Sequence, residues 1–407
     1  MRIDLISEHA SPLAMIGGAD SGGQNVHVAA LARALGERGH QVRVYTRRDS
    51  PELPDWVRAG PGVTVEHVPA GPPSTLPKDA LLPYMREFGD YLAQQWLLKP
   101  PDVAHAHFWM SGLAARHGAG GTGIPVLQTF HALGVVKRRH QGAADPSPPS
   151  RIPLEADLAR EAALVVATCS DEASELAALG VPAQRVAVVP CGVELDRFTP
   201  QGPRVARGSQ HRLLSLGRLV ERKGVETTVR ALPEVPGTEL VIAGGGDAIA
   251  DAELARLAAL AQAAGVRERV RILGQIPHRD VPALLRSADV VVSVPWYEPF
   301  GMVPLEAMAC GVPVVASAVG GHLDTVLDGR TGVLVAPRDP AALAQRLREL
   351  LADPGRLAAM GSVAATRARA RYGWDRVAGE IELLYRRVLA DRRAAPAPVA
   401  LAPGGRS

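Results

Sequence analysis

Short apolar runs alternate with amphipathic helical patterns along almost the whole chain. Runs such as RIDLIS, QVRVYTR and ALVVATC are nearly continuous in apolar residues, which is typical of strands covered on both faces. Helical patterns such as VHVAALARALGERG and DPAALAQRLRELLAD lie between such runs. The alternation predicts an α/β protein with mostly parallel, doubly wound sheets.

The alternation is interrupted once, at residues 196–210, which are polar, contain proline and show no periodicity. We therefore predict two α/β domains, residues 1–195 and 211–375, joined by this linker. A helix over 376–392 is expected to pack back on the first domain, and the composition of 393–407 predicts a disordered tail. Ligands of open parallel sheets bind beyond the carboxyl ends of the strands, so two facing sheets place a site in the cleft.

Composition excludes several classes of protein. The net charge of +3 argues against a dedicated nucleic-acid binder. The three cysteines, Cys169, Cys191 and Cys310, are far apart and not in metal-ligand spacing, which is typical of a reduced cytoplasmic protein. The first apolar run is too short for a signal peptide, and no run of about 18 apolar residues occurs. We expect neither a membrane span nor peripheral membrane contact.

Four glycines lie between the first predicted strand and the first predicted helix, in the segment GGADSGGQN, residues 17–25. Glycine costs roughly 0.5–1 kcal/mol relative to alanine in regular structure, so the cluster indicates a sharp turn or a close approach of the backbone to a ligand. Gly22 and Gly23 would let a phosphate reach the N–H groups of the helix N-terminus. A plain tight turn is the alternative. The segment matches neither the dinucleotide nor the P-loop fingerprint.

A second segment with glycine, GRLVERKGV, also stands between a predicted strand and a predicted helix. Gly217 permits close approach of the backbone, while Arg218 and Lys223 bring two cations that can bind phosphate oxygens. The alternative is a solvated basic loop in which Glu221 and Glu226 are the partners of these cations.

The segment EPFGMVPLEAMACGVPVVAS carries the strongest signal for a site. Pro304 suits the first turn of a helix, which puts Glu298 in the preceding loop and Glu306 about one turn inside. A capping-box role for Glu306 is disfavoured because Val303, rather than serine or threonine, stands three residues earlier. The glycine of the loop would free backbone N–H groups to bind a ligand, those of Phe300, Gly301, Met302 and Val303.

Together these segments resemble the family 4 retaining glycosyltransferases of the GT-B fold, which have two facing Rossmann-like domains. The resemblance covers essentially residues 1–390. It rests on the glycines after the first strand, TFHALG around His131, PCGVELDRF, GRLVERKG and the Glu298–Glu306 pair with its surroundings. Within the family, the sequence resembles the sucrose-phosphate synthases and the D-inositol 3-phosphate glycosyltransferases of mycothiol synthesis.

The resemblance implies a retaining hexosyltransferase that uses a nucleotide sugar, with an N-terminal acceptor domain and a C-terminal donor domain. Arg218 and Lys223 would bind the donor diphosphate, and Glu306 would accept hydrogen bonds from the nucleotide ribose. Glu298 and His131 would contact the donor sugar. Further donor contacts are expected from Gly22, Gly23, Gly217, Phe300, Gly301, Met302 and Val303. No cofactor and no metal are expected, since no DxD motif occurs. The co-substrate would be a nucleoside-diphosphate sugar of UDP, GDP or ADP type.

The acceptor side departs from these look-alikes. In the inositol-phosphate enzymes an asparagine, a lysine, a tyrosine, a threonine and an arginine hold the acceptor phosphate. Asn25, Lys78 and Arg151 stand at three of these positions, whereas Phe108 replaces the tyrosine and Ala132 the threonine. We therefore expect a small acceptor other than inositol phosphate, either another anionic molecule such as a sugar phosphate or one of different shape, because two hydroxyl donors for inositol phosphate are absent.

Other functions stay open on the sequence alone. A GT-B relative that is not a sugar transferase, such as a nucleotide-sugar epimerase or a pseudo-glycosyltransferase, would share these motifs. A retaining glycosidase would need Glu298 and Glu306 about 5–5.5 Å apart, and the two basic residues argue against it. A two-lobed periplasmic binding protein is opposed by the lack of a signal peptide. A homodimer is compatible with the sequence.

Two further features have ordinary explanations. His105 and His107 lie on one face of a predicted strand like a pair of metal ligands, but no third ligand is apparent, so packing is favoured. The segment KRRH, residues 137–140, is too short for an amphipathic membrane anchor. A solvated loop is expected there, with contact to an anionic acceptor as the alternative.

Overall fold

The computed structural model describes residues 1–14, 22–208, 210–245 and 248–394. Within these residues the chain forms two sheets packed with helices, and the predicted α/β class with two domains of the GT-B type is confirmed. No helix of this part of the chain is long and apolar enough to cross a membrane.

The first sheet has eight strands in the order β3-β4-β2-β1-β5-β6-β7-β8. Neighbours are parallel except for β3, which pairs antiparallel with β4. The strands are β1 (Arg2–Ile6), β2 (Gln41–Arg47), β3 (Trp56–Gly60), β4 (Val63–Val68), β5 (Val103–His107), β6 (Val126–Thr129), β7 (Leu164–Ala167) and β8 (Val186–Val188). The helices between them are α1 (Gly23–Glu37), α2 (Met85–Leu98), α3 (Trp109–Gly118), α4 (Gly134–Gln141), α5 (Arg151–Glu161) and α6 (Ser170–Ala178).

The second sheet has six parallel strands in the order β11-β10-β9-β12-β13-β14. They are β9 (His211–Leu216), β10 (Thr238–Ala243), β11 (Val270–Gly274), β12 (Val290–Ser293), β13 (Val314–Ser317) and β14 (Gly332–Val335). The remaining helices are α7 (Val225–Ala231), α8 (Ala248–Ala263), α9 (Val281–Leu285), α10 (Met302–Ala309), α11 (His322–Thr325), α12 (Pro340–Leu351), α13 (Pro354–Arg371) and α14 (Trp374–Ala394).

The edge strand β3 is absent from the strands predicted from the sequence. It lies at one end of its sheet, and Trp56, its first residue, is 63% exposed. By contrast, all six residues of β10 are buried. An interior strand of a parallel sheet is covered on both faces and is therefore read as a continuous apolar run, whereas an exposed edge strand lacks that signal.

The last helix, α14, lies against α1 of the first domain. Arg38 donates hydrogen bonds to Glu382 and to Asp375, each at 2.9 Å. Deeper in the same interface, the Tyr385 hydroxyl lies 2.8 Å from Nδ1 of His105 on β5. The predicted disordered tail lies outside the described residues from position 395 onward, as do the first two glycines of the GGADSGGQN segment.

One buried carboxyl of the first domain makes stability depend on pH. Burial raises the pKa of Asp4 from 3.8 to about 7, although the Trp96 indole N–H donates to Asp4 at 2.7 Å. The folded state therefore binds a proton that the unfolded state releases, and the free energy of unfolding falls as pH rises from about 4 to about 7. The difference between the two pKa values of Asp4 corresponds to roughly 4 kcal/mol of the free energy of unfolding.

We expect Asp4→Asn to remove most of this pH dependence, because asparagine keeps an acceptor oxygen for Trp96 without a titrating group. Urea unfolding at pH 4.5 and pH 8 measures the effect, with the exposed Asp280→Asn as the matched control. Equal pH dependence in the wild type and the Asp4 variant would contradict it.

Candidate active site

The two domains meet where the strands of both sheets reach their carboxyl ends. Thr168, after β7, donates through its hydroxyl to the carbonyl of Pro299 at 3.2 Å. Ser170 donates to Asp324 of the second domain at 2.6 Å. A small cavity at this junction is lined by Ala132 on one side and by Glu298, among others, on the other. The structure thus brings segments after β6 and after β12 to one place.

Lys223 and Glu298 form an ion pair in the second domain. Lys223 ends a short 3-10 turn, and its side chain is 26% exposed, while that of Glu298 is 10% exposed. The next residue, Gly224, has a φ of 70°, and a Cβ there would lie 2.0 Å from the carbonyl oxygen of Val294. Gly224 therefore fixes the turn that delivers the lysine. The lysine is thus not the exposed residue expected of a solvated basic loop, because its ammonium is paired.

The charge of Glu298 follows from this pairing. Burial alone would raise the pKa of Glu298, but Lys223 and the neighbouring His322 lower it, and the result is a pKa of about 2. Glu298 is therefore ionised at neutral pH and accepts hydrogen bonds rather than donating a proton. This argues against a glycosidase in which Glu298 serves as the acid.

The loop between Glu298 and α10 is held by the glycines at 320 and 321. Gly321 donates its N–H to the carbonyl of Glu298 at 2.8 Å, and a Cβ on Gly320 would lie 2.2 Å from the same oxygen. Gly301 precedes α10 with a φ of 72°. The helix begins at Met302, so its first N–H groups have no partner within the helix and can bind an anion.

Glu306 and Arg218 complete this side of the cleft. Glu306 lies within α10, its side chain is 12% exposed, and Nε2 of His278 is 3.9 Å from its carboxylate. Arg218 is exposed directly after β9. The preceding Gly217 has a φ of 140° and donates its own N–H to Ala243 at 3.0 Å, so this N–H is already used. Among the described residues, and apart from its two chain neighbours, no atom lies within 4 Å of a Cβ built on Gly217, so this side of the backbone has room for a ligand.

The two glycines at the start of α1 have a more specific role than the sequence indicates. The N–H of Gly22 is donated to the side chain of Asn25 at 2.9 Å, so it is not free for a phosphate. The amide nitrogen of Asn25 in turn donates to the carbonyl of Ser11 at 3.0 Å. A Cβ on Gly23 would lie 3.2 Å from the sulfur of Met302. Gly23 thus permits close approach of the two domains, and Asn25 caps the helix.

His131 reaches the domain junction from the first domain. It is 3% exposed, and its ring centroid lies 5.1 Å from that of Phe300 in the loop of the second domain. Its φ of 63° is in the left-handed region, which is costly for a non-glycine residue and is concentrated at functional sites. Nε2 of His131 lies 2.9 Å from Nδ1 of His107.

Four cations share the region where the acceptor is expected. Burial lowers the pKa of Lys78, and the nearby charges of Lys137, Arg218 and Arg151 contribute in the same direction, while Asp79 opposes them. Mutual repulsion of cations is relieved when an anion binds between them. This part of the cleft is therefore suited to a negatively charged ligand.

The other residues predicted to hold the acceptor have protein partners. Arg151 is 2% exposed, pairs with Glu155 at 2.7 Å and donates to the carbonyl of Ala132 at 2.5 Å. Its guanidinium also lies 5.1 Å from the ring centre of Phe108. Arg151 thus organises the segment that carries Ala132, and its charge acts on the cleft from within the domain.

The KRRH segment forms part of α4 rather than the solvated loop expected from the sequence. Lys137 pairs with Asp145 at 2.8 Å, and His140 stacks on Tyr297 of the second domain with ring centroids 5.2 Å apart. Gln141 donates to the Tyr297 hydroxyl at 2.6 Å. Sequence reasoning missed this contact between the domains, because Tyr297 carries no signal beyond its position beside the EPFG motif.

The paired histidines of β5 have hydrogen-bond partners in the first domain and in α14, which packs against it. His105 lies 2.8 Å from the Tyr385 hydroxyl and 2.9 Å from that of Thr129, and His107 contacts His131. Among the residues that the structure describes, no group of three or more His, Cys, Asp or Glu side chains could hold a metal ion.

The sequence matches two family models that together span most of the chain. Residues 21–197 match Glycosyltransferase Family 4, and residues 202–367 match Glycosyl transferases group 1. Among solved structures, sucrose-phosphate synthase from Thermosynechococcus elongatus superimposes with a TM-score of 0.89 at 32% identity, covering 96% of this chain and 99% of that one. Anabaena HepE, solved with UDP and glucose, shares the fold with a TM-score of 0.74 at 19% identity. The match covers 95% of this chain and 99% of the HepE chain.

Curated relatives align over nearly their whole length. D-inositol 3-phosphate glycosyltransferase 1 from Catenulispora acidiphila is 38% identical, with 97% of this chain and 98% of the relative covered. D-inositol 3-phosphate glycosyltransferase from Xylanimonas cellulosilytica is 37% identical, with 94% of this chain and 96% of the relative covered. The chain therefore belongs to the family 4 glycosyltransferases of the GT-B fold.

Proposed function

We propose that this protein transfers a sugar, with retention of anomeric configuration, from a nucleoside-diphosphate sugar to a small anionic acceptor. The observation that carries the proposal is the Lys223–Glu298 ion pair at the domain junction. Arg218, after β9, adds a second cation on the same side of the cleft. The names of the relatives support transfer to a phosphorylated acceptor. The fold is also that of HepE, which was solved with UDP-glucose.

On the donor side, Lys223 and Arg218 bind the diphosphate, and the N–H groups at the start of α10 add to this anion site. Glu306 accepts hydrogen bonds from the ribose hydroxyls. Glu298, ionised and fixed by Lys223, accepts from a hydroxyl of the donor sugar, and His131 contacts the sugar from the first domain. Both domains must therefore contribute before the donor is fully bound.

The reaction exchanges one bond at the anomeric carbon for another. The hydroxyl oxygen of the acceptor attacks on the face from which the diphosphate leaves, and its proton passes to the departing phosphate oxygen. Lys223 and Arg218 stabilise the negative charge that grows on the leaving group. The protein contributes positioning and electrostatic stabilisation, and neither a metal nor a cofactor has a step in this mechanism.

The acceptor binds beside Lys78, where Lys137, Arg151 and Arg218 add positive potential. Phe108 and Ala132 lack the hydroxyl donors that the resemblance associates with an inositol phosphate. We therefore infer an acceptor that carries a negative charge but offers a different surface at these two positions.

The test is mass spectrometry of products from UDP, GDP and ADP sugars combined with phosphorylated and carboxylated acceptors. Release of the nucleoside diphosphate that requires both substrates, with an α-linked product from an α-linked donor, is the expected result. Interconversion of the donor sugar without an acceptor would indicate an epimerase instead.

We expect Glu306→Gln to weaken the binding of the nucleoside diphosphate roughly 5- to 30-fold. Hydrogen bonds to a charged group contribute about 1.5–3 kcal/mol against about 0.5–1.5 for neutral ones. Isothermal titration with UDP, GDP and ADP measures the effect, and the exposed Glu268→Gln is the matched control. An unchanged dissociation constant would show that Glu306 does not bind the ribose.

A further inference from the structure

Two buried histidines of the first domain share a hydrogen bond that the proposed mechanism does not yet use. Nδ1 of His107, the last residue of β5, lies 2.9 Å from Nε2 of His131. The rings are stacked, with centroids 5.1 Å apart and an interplanar angle of 23°. A single hydrogen lies between the two nitrogens, so one ring donates and the other accepts.

Each of the two rings carries one proton. Burial lowers the pKa of His107 and of His131 well below the ordinary value, so both imidazoles are neutral at pH 7. Their other nitrogens, Nε2 of His107 and Nδ1 of His131, are buried and have no hydrogen-bond partner among the described residues. One of these two nitrogens must therefore be an N–H without an acceptor, and such a group is costly in the interior.

The surroundings of the rings decide where that N–H belongs. His107 is fully buried, and its ring neighbours are His27, His105 and His131, all in the first domain. His131 instead meets Phe300 of the donor loop across the domain junction. A ligand bound in the cleft can supply an acceptor to His131 but not to His107.

We propose that His107 is a positioning residue that fixes the tautomer of His131. His107 donates from Nδ1 to Nε2 of His131, and His131 then presents its Nδ1–H to a hydroxyl oxygen of the donor sugar. The left-handed φ of 63° at His131 shows that its backbone conformation is imposed by the surroundings rather than preferred locally. This inference rests on the proposed function for the role of the sugar, while the tautomer itself is a property of the unliganded protein.

The first test reads the tautomer directly. Long-range ¹H–¹⁵N correlation spectra of histidine-labelled protein, assigned with His131→Gln, are expected to show Nδ1 of His131 protonated and Nε2 bare. The aspartate of His107→Asp can only accept, so the proton should move to Nε2, whereas the amide of His107→Asn can still donate. If the aspartate variant does not fold, His107→Leu, which removes the donor, replaces it. His105→Gln, on the same strand, is the control and should leave the His131 signals unchanged.

The second test measures turnover with the donor and acceptor identified by the product screen. We expect the aspartate variant to have a kcat roughly 10- to 100-fold below that of the asparagine variant, the cost of one hydrogen bond to the sugar lost in a buried site, with little change in the KM of the acceptor. A wild-type His131 protonated on Nε2, or equal tautomers and equal kcat in the two variants, would overturn the inference. The spectra need no substrate, so failure of the proposed function would not be mistaken for failure of this inference.

Discussion

Replacing Lys223 with alanine is expected to lower kcat/KM roughly 100- to 1,000-fold, an effect typical of removing one preorganised donor to a developing anion. The structure gives two reasons. The diphosphate loses a charge-assisted contact, and the buried Glu298 loses its ion-pair partner. An ionised Glu298 without Lys223 would then repel the same diphosphate. Steady-state kinetics with the donor found by the product screen measures the loss.

A second substitution separates these two reasons. In Lys223→Ala combined with Glu298→Gln, the unpaired carboxylate is absent. The double variant is compared with Glu298→Gln alone: if Lys223 served only to neutralise Glu298, adding Lys223→Ala to Glu298→Gln would cost nothing further, whereas a direct role at the diphosphate keeps a large additional loss. The exposed Lys99→Ala is the control for loss of a lysine charge. Unchanged turnover in Lys223→Ala would show that this lysine is not at the diphosphate.

The fold could be predicted from the sequence because its signals are local. Interior strands such as β10 are buried on both faces and are visible as apolar runs. The edge strand β3 was missed since its exposed face erases that pattern. The apolar runs also show that the segments around Gly217 and Glu298 follow strands. Since a parallel sheet puts the carboxyl ends of its strands at one edge, both segments could be placed at that edge.

The partners within the site could not be predicted from the sequence, because they depend on tertiary contacts. Lys223 and Glu298 are 75 residues apart and pair only in the folded domain. Asn25 was predicted to hold the acceptor, yet both ends of its amide have partners in the segment before α1. The hydrogen bond between His107 and His131 joins the ends of β5 and β6, and neither residue alone signals it.

The acceptor preference can be altered at two positions. With D-inositol 3-phosphate as acceptor, we expect the wild type to be slow and Phe108→Tyr with Ala132→Thr to raise kcat/KM roughly 100-fold. Taken at the lower end of the range for a hydrogen bond to a charged group, each of the two hydroxyls contributes about 1.5 kcal/mol, and about 1.4 kcal/mol corresponds to a factor of ten. Both positions lie beside Arg151, whose guanidinium contacts the Phe108 ring and the Ala132 carbonyl.

A matched variant shows whether the hydroxyls or the added volume are responsible. Ala132→Val adds nearly the volume of threonine without a hydroxyl, so Phe108→Tyr with Ala132→Val should gain only about tenfold, the share of the tyrosine. Competition between D-inositol 3-phosphate and the acceptor found by the product screen, read by mass spectrometry, ranks the variants. The cation of Lys78 is present in all of them, so any difference arises from hydrogen bonding rather than charge. Efficient turnover of D-inositol 3-phosphate by the wild type, unimproved by the double change, would show that Phe108 and Ala132 do not set the acceptor.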